Sequence, residues 1–250
     1  MKKIALITGA TSGIGMAIAQ ELAENFSLII CGRRQERLDQ LKQTIESITD
    51  VVNLCFDVRS NDQIVSAINS LPAEWKTIDI LINNAGNAHG LSPIHEGSLE
   101  DWDAMIDSNL KGLLYVTRAI SPGMVERKSG QIINISSIAG KEVYANGNVY
   151  CASKYGVDAA TQGMRIDLNP YNIRVTSINP GLVNTEFSSV RFKGDQEKAD
   201  KVYAGMKPLV AKDIAEIVRF VVERPAHVVL TDVTVLPTAQ ATATTVNRKE

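Results

Sequence analysis

Apolar positions in this chain follow two alternating arrangements: short unbroken runs, and longer stretches in which they recur every three or four residues. The unbroken runs at residues 4–8, 26–31, 51–56, 78–82, 132–135 and 173–178 read as buried parallel strands, with a last strand at 228–236. Between them, Ile14, Ala17, Ile18 and Leu22 keep helical spacing, as do Leu38, Leu41 and Ile45 within residues 33–48 and the apolar positions of 64–71. The βαβαβ start, with connections long enough for right-handed crossovers, predicts an α/β fold. It is a single-domain, Rossmann-type, doubly wound parallel sheet of seven strands with helices on both faces.

Ser98, followed three residues later by Asp101, resembles a capping box and predicts a helix reaching Asn109. A separate helix is expected over 113–125, its far end blurred by Pro122-Gly123, and a long one over 148–168. Residues 182–207 are irregular and charge-rich, an insertion over the sheet edge, and 212–222 is helical by period. Residues 238–250, rich in Thr and Ala, cannot form a core and read as an arm or a disordered tail after a catalytic domain spanning 1–237.

The 250 residues, 44% of them apolar, suffice for one substantial core. A formal charge of -2 argues against a nucleic-acid partner or a polybasic membrane surface. The positive start at Lys2-Lys3 precedes an apolar run of only four residues, so it reads as a first strand rather than a leader, and no transmembrane segment is expected. Cys31, Cys55 and Cys151 lack disulfide or metal-ligand spacing, and His89, His95 and His227 are scattered; a cytoplasmic protein without a metal is expected.

Gly9, Thr11, Ser12, Gly13, Ile14 and Gly15 follow the first strand and open the first helix. There a glycine-rich turn offers backbone N–H donors and a positive helix end to a pyrophosphate. The spacing is not that of a P-loop, and no Lys-Ser or Lys-Thr pair follows to hold a terminal phosphate. The second strand ends at Cys31-Gly32-Arg33-Arg34, with two guanidinium groups and no acid. An acid there would favour NAD through a ribose hydroxyl, whereas arginines suit the additional phosphate of NADP. Asp57 and Val58, after the third strand, are placed for the adenine edge.

Tyr150 and Lys154 stand four positions apart, on one face of the long helix. A phenol beside an ammonium is a proton device: the cation favours phenolate, and the oxygen exchanges a proton with a substrate oxygen.

Together these stretches resemble the short-chain dehydrogenase/reductase family: the glycine turn, Asn83-Asn84-Ala85-Gly86, Tyr150-x-x-x-Lys154, and Asn179-Pro180-Gly181 with Thr185. The resemblance implies that Ser137, thirteen residues before Tyr150, binds the substrate oxygen, and that Asn109 supports Lys154 through water. It implies cofactor contacts from Asn84, Ala85, Gly86, Tyr150, Lys154, Pro180, Gly181, Val183 and Thr185, and a homotetramer. Residues 70–75, 122–127, 147–150 and 186–195 are similar to a subgroup of NADP-dependent 3-hydroxy acid dehydrogenases. That similarity implies hydride transfer between NADP and serine, allo-threonine or 3-hydroxypropionate, with malonic semialdehyde reduced in reverse. Ser137 and Tyr150 would hold the reacting oxygen, and Arg191 the carboxylate. An NADPH-dependent ketone or 3-oxoacyl reductase is the alternative, separated from it by the surface around Arg191.

Overall fold

The computed structural model describes residues 2–249. The chain begins β1 (Lys3–Ile7), α1 (Gly13–Leu22), β2 (Phe26–Gly32), α2 (Gln35–Ile45), β3 (Val51–Cys55), α3 (Asn61–Asn69) and β4 (Ile78–Asn83). It continues α4 (Leu99–Ile106), α5 (Gly112–Arg127), β5 (Gly130–Ile135), α6 (Asn148–Leu168), β6 (Ile173–Pro180) and β7 (Val183–Asn184). Last come α7 (Phe187–Arg191), α8 (Gln196–Lys201), β8 (Leu209–Val210), α9 (Ala211–Val222) and β9 (Asp232–Val235). Seven strands pair in parallel in the order β3-β2-β1-β4-β5-β6-β9, while β7 and β8 form a separate two-stranded pair.

The central strands of the large sheet, such as β1 and β4, are apolar on both faces because each face is covered. Ala5 and Ile7 of β1 pack with Ile18 and Leu22 of α1, Leu38 and Leu41 of α2, and Ile214 and Val218 of α9. Leu6 belongs to the opposite core, with Ile64 of α3 and Val116, Ile120 and Met124 of α5. Chain direction across the sheet reverses between β1 and β4, which opens a crevice at their carboxyl ends, where such sheets bind ligands.

Three elements differ from the pattern-based expectation. The helices expected on either side of Asn109 are one rod, joined by a π-helical turn at Asp107–Lys111. The rod also runs through Pro122 to Arg127. Proline removes the hydrogen bond to residue i−4, but here that carbonyl belongs to Arg118 on the exposed face, while Ile120 and Met124 anchor the helix to the core. The last strand is shorter than its apolar run, because Arg174 Nη1 takes the carbonyls of Arg224 (2.9 Å), Pro225 (3.3 Å) and Val228 (3.1 Å) and holds that approach as a loop.

The C-terminal segment is docked. Gln240 is buried and bridges to Val246, Ala243 N donates to Glu142 Oε2 (2.7 Å), and Lys249 N donates to Gly205 O (2.8 Å). Among the described residues no helix is long and apolar enough to cross a membrane.

Candidate active site

A cavity of about 460 Å³ lies over the carboxyl ends of the strands. Its floor at one end is the glycine turn. Gly9 has φ +67°, and a Cβ there would stand 2.9 Å from Ala85 Cα, so only glycine lets the first and fourth strand ends approach this closely. Thr8 Oγ1 accepts from both Asn84 N and Ala85 N at 3.0 Å, and Asn84 Nδ2 donates to Thr8 O at 2.9 Å. Asn84 is thereby the staple that holds Ala85 and Gly86 in the cavity wall. The Ser12 side chain makes no capping bond and the first turn of α1 carries no acid, so the positive end of that helix is left to an anion. This end of the cavity fits a dinucleotide pyrophosphate.

Arg33 and Arg34 flank the cavity beyond the turn. Arg34 Nη2 donates to Thr11 Oγ1 (3.0 Å) and Ser12 Oγ (3.2 Å), which fixes its guanidinium at the rim. Asp57 lies close by, but Arg59 holds its carboxylate, with Nη2 to Oδ2 at 2.6 Å. Val58 packs against Gly112 at the start of α5, where a Cβ would come within 2.8 Å of it. With no acid at the end of β2 and two arginines in its place, the wall fits a phosphorylated ribose.

At the opposite end α6 presents Tyr150 and Lys154 inward, both buried. Lys154 Nζ donates to Ile135 O (3.1 Å), and burial lowers its pKa to about 8. It stands 6.0 Å from the Tyr150 ring centroid. Burial raises the Tyr150 pKa to about 12; Arg191 is the main charge opposing that rise, and a hydrogen bond from Ser137 adds to the opposition. Desolvation is the largest influence on the phenol, and the Arg191 guanidinium over its ring is the leading charge that opposes it. Ser137 lies in the wall, its Oγ accepting from Ala139 N at 3.1 Å.

Asn109 does not line the cavity. Its Nδ2 donates to Asn87 O (2.8 Å) and Ser153 Oγ (3.0 Å), and its Oδ1 accepts from Asn87 N (2.8 Å) and Ser108 Oγ (3.1 Å). The side chain is saturated and ties the β4 loop to α6, one residue before Lys154.

Residues 183–207 form a strap over the cavity. Pro180, Gly181, Val183 and Thr185 line it, and Thr185 rests against Gly13. Arg191, in the middle of the strap, has its guanidinium carbon 4.9 Å from the Tyr150 ring centroid, 5.3 Å from Phe187 and 5.9 Å from Tyr144. Its Nη2 donates to the Tyr144 hydroxyl (2.8 Å), while its buried Nε has no partner among the described residues.

Several wall residues escaped motif reasoning. Tyr144 orients Arg191. Tyr203 binds Val183 O (2.9 Å) and Ser188 (2.7 Å) within the strap. Gln240 Oε1 accepts from Leu182 N (2.8 Å). None lies in a recognisable local pattern; each reaches the wall through tertiary folding alone.

Residues 3–196 match the family described as short chain dehydrogenase. An NADP-dependent 3-hydroxy acid dehydrogenase of Salmonella typhi is 50% identical over 242 residues, 96% of this chain and 97% of that protein. The closed form of a serine dehydrogenase complexed with NADP+ superposes with TM-score 0.92 at 48% identity, covering 96% of this chain and 97% of that one. A serine dehydrogenase from Escherichia coli gives 0.83 at 43% identity, covering 95% and 99%. The glycine turn, the Asn84 staple and the inward Tyr150 and Lys154 thus sit in a chain that belongs to the short-chain dehydrogenase family.

Proposed function

We infer that the chain is an NADP-dependent oxidoreductase that interconverts small 3-hydroxy acids, such as L-serine, L-allo-threonine or 3-hydroxypropionate, with their 3-oxo forms. The observation that carries the substrate class is Arg191: a guanidinium beside the Tyr150 ring whose buried Nε has no partner. Among the described residues Arg191 forms no ion pair, whereas Glu186 and Lys193 of the same strap do. A half-buried guanidinium with an unpartnered Nε gains from a substrate carboxylate, which offers it paired hydrogen bonds. A short distance between this cation and the phenol suits a small acid with its oxygen a few bonds from the carboxylate.

When bound, the nicotinamide accepts a hydride from the hydroxyl-bearing carbon or returns it to the oxo carbon. Gly9, Thr11, Ser12, Gly13 and Ile14 hold the pyrophosphate end, Arg33 and Arg34 the 2′-phosphate, and Asp57 and Val58 the adenine edge. Ala85, Gly86, Pro180, Gly181, Val183 and Thr185 shape the nicotinamide end, where Lys154 binds ribose hydroxyls. Ser137 donates to the reacting oxygen. Tyr150 gives that oxygen its proton in reduction and takes it in oxidation. Asn109 holds α6 in register with the β4 loop. The protein acts in the cytoplasm, as a homotetramer.

The test is a substrate panel, three 3-hydroxy acids and a neutral secondary alcohol, each with NADP+ and NAD+. Arg191→Met is expected to lower kcat/KM on the acids by about a hundredfold, the loss of a charge-assisted pair, and on the alcohol by only a few-fold. Equal losses on both would remove Arg191 from carboxylate recognition, and wild-type preference for the neutral alcohol would overturn the substrate class.

A further inference from the structure

Glu186 sits where an acid is out of place. It opens the strap just before α7 and lines the same cavity wall as Thr11, Ser12, Arg33 and Arg34. Its carboxylate stands 3.8 Å from Arg34 Nη1. A carboxylate at that position competes with a phosphate for the Arg34 guanidinium and repels the phosphate itself. Arg37, one helical turn further along α2, meets the same carboxylate: its Nη1 donates to both Glu186 Oε1 and Oε2 at 2.9 Å. Arg34 meanwhile turns its Nη2 away from Glu186, toward Thr11 and Ser12 at the glycine turn.

We propose that Arg37 is a positioning residue for cofactor choice: by neutralising Glu186 it leaves Arg34 free to bind the 2′-phosphate of NADP. The proposal rests on the NADP reading given above and adds to it a residue outside the phosphate-binding pair. Arg37 reaches over from α2 to the strap, and Glu186 is the strap's only described carboxylate in that wall. Local charge is thus four arginines, 33, 34, 37 and 59, against two carboxylates, Asp57 and Glu186, and the surplus of two is what a dianionic ester requires. The unphosphorylated ribose of NAD presents no such charge, so the arrangement acts on one cofactor and not the other.

Binding of NADPH and of NADH, followed separately by nucleotide fluorescence without substrate, tests this on the full chain. Arg37→Met is expected to weaken NADPH binding by roughly fivefold, the scale of one exposed ion pair, with NADH changed by less than about twofold. Glu186→Gln in the Arg37→Met background is expected to restore NADPH binding, because the carboxylate that Arg37 masked is gone. The loss in Arg37→Met should also shrink as salt is raised, since exposed charges are screened. Equal weakening of NADPH and NADH by Arg37→Met would overturn the proposal, because a strap tether alone does not distinguish the two. A double variant that stays as weak as Arg37→Met would overturn it too, by showing that Arg37 touches the phosphate itself. Wild-type protein that binds NADH as tightly as NADPH would instead overturn the cofactor reading beneath it, whatever the variants do.

Discussion

Below the cavity, Asn83 Nδ2 donates to Thr117 Oγ1 and Asn134 Oδ1, both at 2.9 Å, and Asn134 Nδ2 passes the chain on to Thr161 of α6 at 2.8 Å. These groups are buried, and they weld β4 and β5 to the helices beneath Tyr150. Above the cavity, the first half of the strap is tied at two points by ion pairs open to solvent, Glu186 to Arg37 and Lys193 to Asp101 (2.9 Å). Between those points, Gly90 N donates to Arg191 O at 2.9 Å. Buried polar networks keep their geometry because a broken bond leaves an unsatisfied group, whereas exposed ion pairs exchange readily with water. The floor is thus the half whose contacts are costly to break, and the cover the half whose contacts part more easily.

Each half predicts its own failure. Tyr150→Phe removes one oxygen from the floor without disturbing the weld. It is expected to lower kcat about a thousandfold in both directions while Tm and NADPH binding hold, since only proton transfer is lost. The wild-type pH profile sharpens this. A phenol raised to about 12 is protonated at neutral pH, so reduction should be level there, and oxidation, which needs the phenolate, should rise as pH increases. An oxidation rate that falls with pH would show that another group takes the proton.

Asn109→Ala attacks the floor's second buried network, which ties the β4 loop to α6. It strands Asn87 N and Asn87 O and removes one of the two bonds of Ser153 Oγ, which still donates to Tyr150 O, and it should cost about 2–3 kcal/mol in a denaturant titration. Lys193→Met on the cover should leave stability within about 0.5 kcal/mol while KM for the acid rises a few-fold. If Lys193→Met destabilised the fold as much as Asn109→Ala does, the contrast between floor and cover would fail.

The floor was far more legible in the sequence than the cover. Continuous apolar runs give away doubly covered strands, and Gly9 announces a turn because no other residue fits its backbone beside Ala85. Tyr150 and Lys154 reveal themselves by helical spacing. The π turn left no such trace, since residues 107–111 contain no Pro or Gly. Asp101 was read as a capping partner, yet its backbone N–H serves Ser98 at 3.4 Å while its carboxylate leaves for Lys193. Contacts that cross the fold, such as Arg37 with Glu186 or Leu182 with Gln240, have no local period to reveal them.

Gln240 makes the pocket depend on a segment that lies outside the large sheet. Its Oε1 accepts from Leu182 N in the cavity wall, so a change confined to that segment can reshape the pocket while the seven strands stay paired.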